Sequence, residues 1–84
     1  MTDVVIQQVL LPDLAEGLVE ARLVRYLVAV GDPVRRLDPI AEVETDKATI
    51  EVTTPWSGTI ESFDAVPDAW VNVGESLLSL RVEA

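Results

Sequence analysis

Two short segments that alternate apolar and polar residues, separated by only four residues, constrain the fold of this chain most. Residues 40–44 and 49–53 each alternate with a period of two, which is typical of a strand with one buried face. The residues between them are Thr45-Asp46-Lys47-Ala48, a usual length for a hairpin loop, and Asp favours turns because its side chain bonds to nearby backbone. We therefore expect an antiparallel hairpin with Lys47 at its tip.

Further short strands are indicated along the rest of the chain. Apolar segments occur at residues 4–11, 18–28, 59–63 and 77–82, and three groups of turn-forming residues separate strands: Pro12-Asp13, Gly31-Asp32-Pro33 and Pro55-Trp56-Ser57-Gly58. Helical spacing is an alternative only across residues 19–26, and the internal repeat described next favours a strand there. Trp56 is interpreted as a packed aromatic residue of its turn.

An internal repeat organises these strands into two similar halves. A shift of 37 positions places apolar residues on one another: Leu23 on Ile60, Tyr26 on Phe63, Val34 on Val71, Ile40 on Leu77 and Val43 on Leu80. In the turns the residue types do not match, because Gly31 meets Asp68 and Leu37 meets Gly74. The repeat predicts an all-β fold: a flattened β-barrel or sandwich of two four-stranded antiparallel sheets with pseudo-twofold symmetry. Sheets that share strands at their corners would leave few open edges.

Length and composition exclude several classes of function. The chain has 84 residues, which predicts a single domain over residues 1–84. It has no cysteine and no histidine, which removes zinc sites of the Cys/His type, disulfides and the usual general base. No catalytic constellation and no Asp-x-Asp-x-Asp-Gly loop is present in the sequence, which leaves a calcium or magnesium site built of carboxylates alone as an alternative.

Charge and targeting signals limit the partners. Acidic residues outnumber basic ones 15 to 6, so nucleic acid and anionic membranes are not expected partners. No apolar run approaches the ~18 residues of a membrane span. The N-terminus, Met1-Thr2-Asp3, has no signal or transit character. These features predict a cytoplasmic protein, or one of the mitochondrial matrix if this is a processed eukaryotic domain.

The loop residues resemble a known family. Glu44-Thr45-Asp46-Lys47-Ala48 is similar to the lipoyl-lysine motif of lipoyl domains, which belong to the acyltransferase components of 2-oxoacid dehydrogenase complexes. Other segments resemble the same family in order and spacing: the opening loop at residues 11–17, Gly31-Asp32-x-Val34, residues 39–44, Pro55-x-x-Gly58 and residues 73–78. The resemblance covers nearly the whole chain.

The resemblance implies a non-catalytic carrier domain. Lipoic acid would be amide-linked to Lys47, the only lysine of the chain, and would act as a swinging arm for acyl groups and reducing equivalents. Glu44, Thr45, Asp46 and Ala48 would be the residues that the ligase and the partner enzymes recognise. The implied partners are a lipoate ligase or lipoyl transferase, a thiamine-dependent 2-oxoacid decarboxylase, an acyltransferase core and dihydrolipoamide dehydrogenase.

Three other carriers or binding modules are alternatives. A biotinyl carrier domain shares the fold and the hairpin lysine but has methionine on both sides of it, whereas Lys47 has Asp46 and Ala48 as neighbours. The glycine-cleavage carrier protein is longer and has additional helices. An unmodified interaction domain with the same fold would differ only in carrying no group on its lysine.

Two residues depart from the family pattern. Ala15 stands where the family often has glycine, which predicts a stiffer opening loop. Trp70 falls in a loop of the second half, where it is interpreted as a cap on the edge of the core, with an exposed contact residue as the alternative.

The repeat also predicts where the chain ends lie. Under the same shift the counterpart of Lys47 is Ala84 in one direction and Leu10 in the other. The first strand and the C-terminus would then occupy the place of a second hairpin, at the end of the molecule opposite to Lys47. On this interpretation the Cα of Leu10 is closer to Ala84 than the Cα of Lys47 is.

Overall fold

Eight short strands build the protein, and no helix occurs within residues 3–14 and 17–83, the part of the chain that the computed structural model describes. The strands are β1 (Val4–Leu10), β2 (Glu20–Tyr26), β3 (Pro33–Val34), β4 (Pro39–Glu44), β5 (Thr49–Thr53), β6 (Gly58–Phe63), β7 (Trp70–Asn72) and β8 (Ser76–Glu83). The predicted hairpin is therefore confirmed as β4 and β5, and residues 20–26 form a strand as expected. The sequence pattern predicts turns or loops where the structure has the short strands β3 and β7.

The strands form two four-stranded antiparallel sheets. One has the order β1-β8-β6-β3 and the other β5-β4-β2-β7. Among the described residues no ladder joins the two sheets, so the fold is a flattened sandwich and not a closed barrel. The expectation of few open edges is wrong, because β1, β3, β5 and β7 each lie at the edge of a sheet.

The core lies between the sheets and follows the alternation of the strands, except on β4 and β8, where neighbouring residues are buried. Ile40 and Ala41 are both buried, and so are Leu77 and Leu78, although neighbouring residues of a strand normally face opposite sides. The ladders change register at Ile40 and at Leu77, and such a bulge turns an additional side chain towards the interior. The predicted core pairs are all buried except Tyr26 and Phe63.

The pseudo-twofold symmetry is confirmed and extends to the backbone of the turns. The shift of 37 positions relates β2 to β6, β3 to β7 and β4 to β8, and the sheet orders correspond when β5 is matched with β1. Gly31 and Asp68 have φ of 94° and 75°, and Leu37 and Gly74 have φ of 78° and 93°. The turns therefore share one left-handed conformation, although their residue types differ.

Hydrogen bonds across the halves repeat in the same way. The amide of Gly31 donates to the carbonyl of Ile60 at 2.8 Å, and the amide of Asp68 donates to the carbonyl of Leu23 at 2.7 Å. The shift of 37 positions relates Gly31 to Asp68 and Leu23 to Ile60. Each half thus fixes the turn of the other through an equivalent bond.

Tyr26 and Phe63, which the repeat relates to each other, stack with ring centroids 3.8 Å apart and an interplanar angle of 4°. The pseudo-twofold axis therefore passes between the two rings. The Tyr26 hydroxyl lies within hydrogen-bonding distance of the carbonyl oxygens of Ala65 and Leu77. Burial raises the pKa of Tyr26, because the phenolate is poorly solvated there.

The ends of the described chain lie side by side. Val4 pairs with Glu83 and Val5 with Val82, at the position that corresponds to the β4–β5 loop in the other half. The first and last strands thus take the place of a second hairpin, as the repeat predicts. Ala84, on which the predicted distance comparison depends, lies outside the described residues, and so do Ala15 and Glu16 of the opening loop.

Candidate functional site

The tip of the β4–β5 hairpin is closed by Thr45. Its amide donates to the carbonyl of Ala48 at 2.9 Å. Its hydroxyl oxygen accepts hydrogen bonds from the amides of Lys47 and Ala48, both at 3.2 Å. The backbone on both sides of the lysine is therefore held by one side chain, which limits the positions that the lysine can take.

Asp46 does not have the turn-forming role that the sequence pattern assigned to it. Within the described residues the side-chain bonds of the loop come from Thr45, and Asp46 contributes none. Both residue types accept hydrogen bonds from nearby amides and favour turns. The Asp46 carboxylate is exposed next to the lysine.

Lys47 presents an accessible amine. Its side chain is exposed, and so are those of Asp46 and Ala48. The salt bridges among the described residues involve arginines and none involves Lys47. An amine of this kind is a suitable acceptor for an acyl group that another protein activates.

Arg22, which the sequence pattern does not indicate as a site residue, binds two carboxylates at the base of the hairpin. The Arg22 guanidinium donates to the carboxylate of Glu44 at 3.1 Å and to that of Asp68 at 2.6 Å. Arg22 is in register with Glu44 on one side and Trp70 on the other. Glu44, predicted as a recognition residue, is thus linked through Arg22 to Asp68 across the sheet.

A groove of about 580 Å³ lies beside the lysine and is called the Lys47 groove here. Its lining residues are Gly17, Leu18, Val19, Glu20, Thr45, Asp46, Lys47, Ala48, Ile50 and Trp70. The segment before β2 forms one wall, and it is tied to the segment after β7 because the amide of Val73 donates to the carbonyl of Val19 at 2.9 Å. Gly17 has φ of 79°, a conformation that glycine adopts without strain.

Trp70 lies on β7 and is 60% exposed. The interpretation of this residue as a cap on the edge of the core is therefore wrong, and the alternative, an exposed residue, is confirmed. Its place on a strand only three residues long explains the error, because alternation cannot be read over so short a segment. The structure brings it to the same groove as Lys47.

A second groove, of about 490 Å³, lies between the edges β1 and β5 and includes Leu10, Val52 and Trp56 among its lining residues. Trp56 is 37% exposed. Its amide donates to the Thr54 hydroxyl oxygen at 3.2 Å. Trp56 is thus a residue of its turn as expected, but its side chain is exposed, so the expectation of a packed aromatic residue is wrong. Lys47 does not line this groove.

Comparison with known proteins identifies relatives over most of the chain. The model of the biotin/lipoyl family, described as "Biotin-requiring enzyme", matches residues 7–80. The lipoamide acyltransferase component of the branched-chain alpha-keto acid dehydrogenase complex of Pseudomonas aeruginosa is 42% identical over 87% of this chain. The succinyltransferase component of the mitochondrial 2-oxoglutarate dehydrogenase complex of Saccharomyces cerevisiae is 42% identical over 83% of it.

The relatives are much longer than the matched region. This chain spans 17% of the Pseudomonas aeruginosa protein and 15% of the yeast protein. Among solved structures, the lipoyl domain of the 2-oxoglutarate dehydrogenase complex of Azotobacter vinelandii matches with a TM-score of 0.67 and 26% identity. That match covers 87% of this chain and 92% of that domain.

Proposed function

Because this chain belongs to the biotin/lipoyl family and matches the lipoyl domains of 2-oxoacid dehydrogenase acyltransferases, we propose that it carries a lipoyl group covalently on Lys47. The observation that carries the proposal is the position of Lys47. The only lysine of the chain is exposed at the tip of a hairpin whose backbone is fixed by Thr45. A modifying enzyme can bind a lysine that a rigid scaffold presents on an exposed loop.

The residues around Lys47 fit an amide-linked acyl chain. The amine forms no ion pair with a described residue, and the adjacent groove leaves room for a chain. The small side chain of Ala48 leaves space beside the amine. Biotin is the second group that the family accommodates, and the side chains next to the lysine are Asp46 and Ala48 instead of methionine.

The lipoyl group, when bound, supplies a disulfide that accepts an acyl group and electrons, while the protein supplies position. Thr45 holds the backbone of the attachment residue. Arg22 joins Glu44 at the end of β4 to Asp68 before β7, which resists twisting of the hairpin against the sheet. Linkage to a common complex raises the effective concentration of the arm at each enzyme to the order of mM for short flexible linkers.

The proposed partners follow from this role. They are a lipoate ligase or lipoyl transferase, a thiamine-dependent 2-oxoacid decarboxylase, an acyltransferase core and dihydrolipoamide dehydrogenase, in the bacterial cytoplasm or the mitochondrial matrix. The net charge of −9 would speed encounters with basic surfaces on these enzymes, at rates that fall as salt is added. Glu44, Thr45, Asp46 and Ala48 are the proposed recognition residues, of which Thr45 and Glu44 also have structural contacts.

Modification in vitro tests the proposal. The unmodified chain is incubated with a lipoate ligase, ATP and lipoate, and its intact mass is measured before and after. We expect the gain of one lipoyl group, and no gain in the variant Lys47→Arg. A gain of mass in that variant would show that the group is attached elsewhere.

A further inference from the structure

The Lys47 groove exposes large apolar side chains. Val19 is 72% exposed and Trp70 is 60% exposed. Leu18 and Ile50 line the same groove and are half-buried. Apolar residues gathered in a concave surface indicate a binding site more often than single exposed ones do.

The occupant is indicated by the groove itself, because Lys47 is one of its lining residues. A chain attached to Lys47 begins at a residue that lines the groove and needs no diffusion to reach it. The acidic side chains of Glu20 and Asp46 also line the groove, so it favours a neutral occupant over an anionic one. The lipoyl arm is neutral and mostly hydrocarbon, and its ring is apolar.

We propose that Leu18, Val19 and Trp70 form a resting site for the end of the lipoyl arm on the domain that carries it. The inference rests on the proposed function, since it requires the arm to be attached to Lys47. It assigns a role to Trp70 that neither the core nor the ion pairs of the sheet explain. The groove is open to solvent, so the arm leaves it readily to reach a partner enzyme.

The resting site has a consequence for the arm. While the ring lies against Trp70 it is partly shielded from solvent and from other thiols. A tethered group also pays little entropy to occupy a site beside its own attachment point. The arm therefore exchanges between the groove and solvent. The contacts with Val19 and Trp70 determine the fraction of time that it spends in the groove.

Tryptophan fluorescence tests this directly, because the chain has two tryptophans that line different grooves. Trp56→Phe leaves Trp70 as the only reporter, and Trp70→Phe leaves Trp56 as the matched control. Both variants are lipoylated, and the intact mass confirms the modification. Disulfides quench indole emission on contact, so reduction of the ring with a phosphine should reverse the effect.

We expect lipoylation to lower the emission of Trp70 and to leave that of Trp56 unchanged. A fall of about one half corresponds to an arm that spends about half of its time against Trp70. Adding Val19→Asp to the Trp56→Phe variant should restore most of the emission, since a charge at this exposed position disfavours an apolar occupant.

A second readout separates residence from brief collisions. With an octanoyl chain on Lys47, which has no disulfide, nuclear Overhauser effects between the indole protons of Trp70 and the chain methylenes are expected. If the mass shows modification while the Trp70 emission is unchanged, or if Trp56 is quenched equally, this inference is wrong and the proposed function stands. An unmodified mass would instead overturn the proposed function.

Discussion

The half of the sandwich that contains the β4–β5 hairpin and the half that contains the paired chain ends have equivalent backbones but different surfaces. The amide of Arg35 donates to the carboxylate of Asp38 at 2.8 Å, and in the other half the amide of Asn72 donates to the carboxylate of Glu75 at the same distance. In place of the loop with Lys47, the other half has the open ends of β1 and β8.

This difference separates residues that serve the fold from residues that serve the site. Positions that form the core or a turn have counterparts in the other half. The side chains at the site do not, since the counterpart of Trp70 is Pro33 and that of Arg22 is Thr59. The comparison therefore predicts that symmetric substitutions affect stability equally, whereas substitution of an exposed site residue without structural contacts, such as Lys47, affects modification alone.

The largest loss of stability is expected from substitutions in the core. Leu23 and Ile60 are counterparts and are 0% and 1% exposed, so Leu23→Ala and Ile60→Ala should each lower the free energy of unfolding by about 2–5 kcal/mol. Urea unfolding measures both values. A loss of unfolding free energy in only one of the two variants would show that the two halves are not equivalent.

Moving the lysine by one position tests whether the hairpin tip matters for modification. In the double variant Asp46→Lys with Lys47→Ala the amine remains on the loop but leaves the position that Thr45 fixes. We expect the lipoylation rate to fall about 100-fold, a typical cost of misplacing a reacting group. Timed mass spectra give the rate, and undiminished modification of this variant would mean that the ligase does not read the tip geometry.

The turns offer a pair of substitutions with opposite signs. Leu37 has φ of 78° and is 60% exposed, and its counterpart Gly74 has φ of 93°. Leu37→Gly should relieve a strain of about 1–2 kcal/mol, partly offset by about 0.5–1 kcal/mol of backbone entropy.

Gly74→Ala should cost about 1 kcal/mol, because an added Cβ meets no atom within 4 Å and only the backbone conformation is unfavourable. Thermal and urea unfolding of both variants give the signs. Effects of the same sign would show that the two turns are not equivalent in energy.

The smallest effect concerns Asp64, which has no acidic counterpart because position 27 is leucine. Burial alone would raise the pKa of Asp64, but hydrogen bonds from Ser79, Ser76 and Ser62 together lower it. A carboxylate with a lowered pKa stabilises the fold above its unfolded pKa, and this stabilisation is lost as the pH falls through the folded value.

Asp64→Asn should therefore cost about 0.5–1 kcal/mol at neutral pH, a value limited by exposure to solvent. The difference from the unsubstituted chain should shrink as the pH falls below about 4. The exposed Asp13 provides the control through Asp13→Asn. A difference that stays constant with pH would exclude this role for Asp64.

The sequence predicts the fold where several residues repeat one pattern and fails where the pattern is short. The hairpin of β4 and β5 has two alternating segments, and these are long enough to define it. Pro33–Val34 and Trp70–Asn72 are too short to show alternation. The turns at Leu37 and Asp68 escape detection because tertiary hydrogen bonds hold their left-handed backbone, and neither leucine nor aspartate indicates that conformation as glycine does.

The candidate site is predictable to a similar extent. Lys47 follows from its uniqueness and its place between two strands. The roles of Thr45 and Asp46 in the loop do not follow, because both residue types form the same turn bonds. The groove with Val19 and Trp70 depends on segments that are distant in sequence and meet only through the sheet.

The most direct test of the account is the mass of the chain after expression in cells that attach both lipoate and biotin to proteins. Intact mass identifies the group, and tandem mass spectra of the peptides identify its position. We expect one lipoyl group, on Lys47. A biotinyl group on Lys47, a group on the N-terminal amine, or an unmodified chain would contradict it.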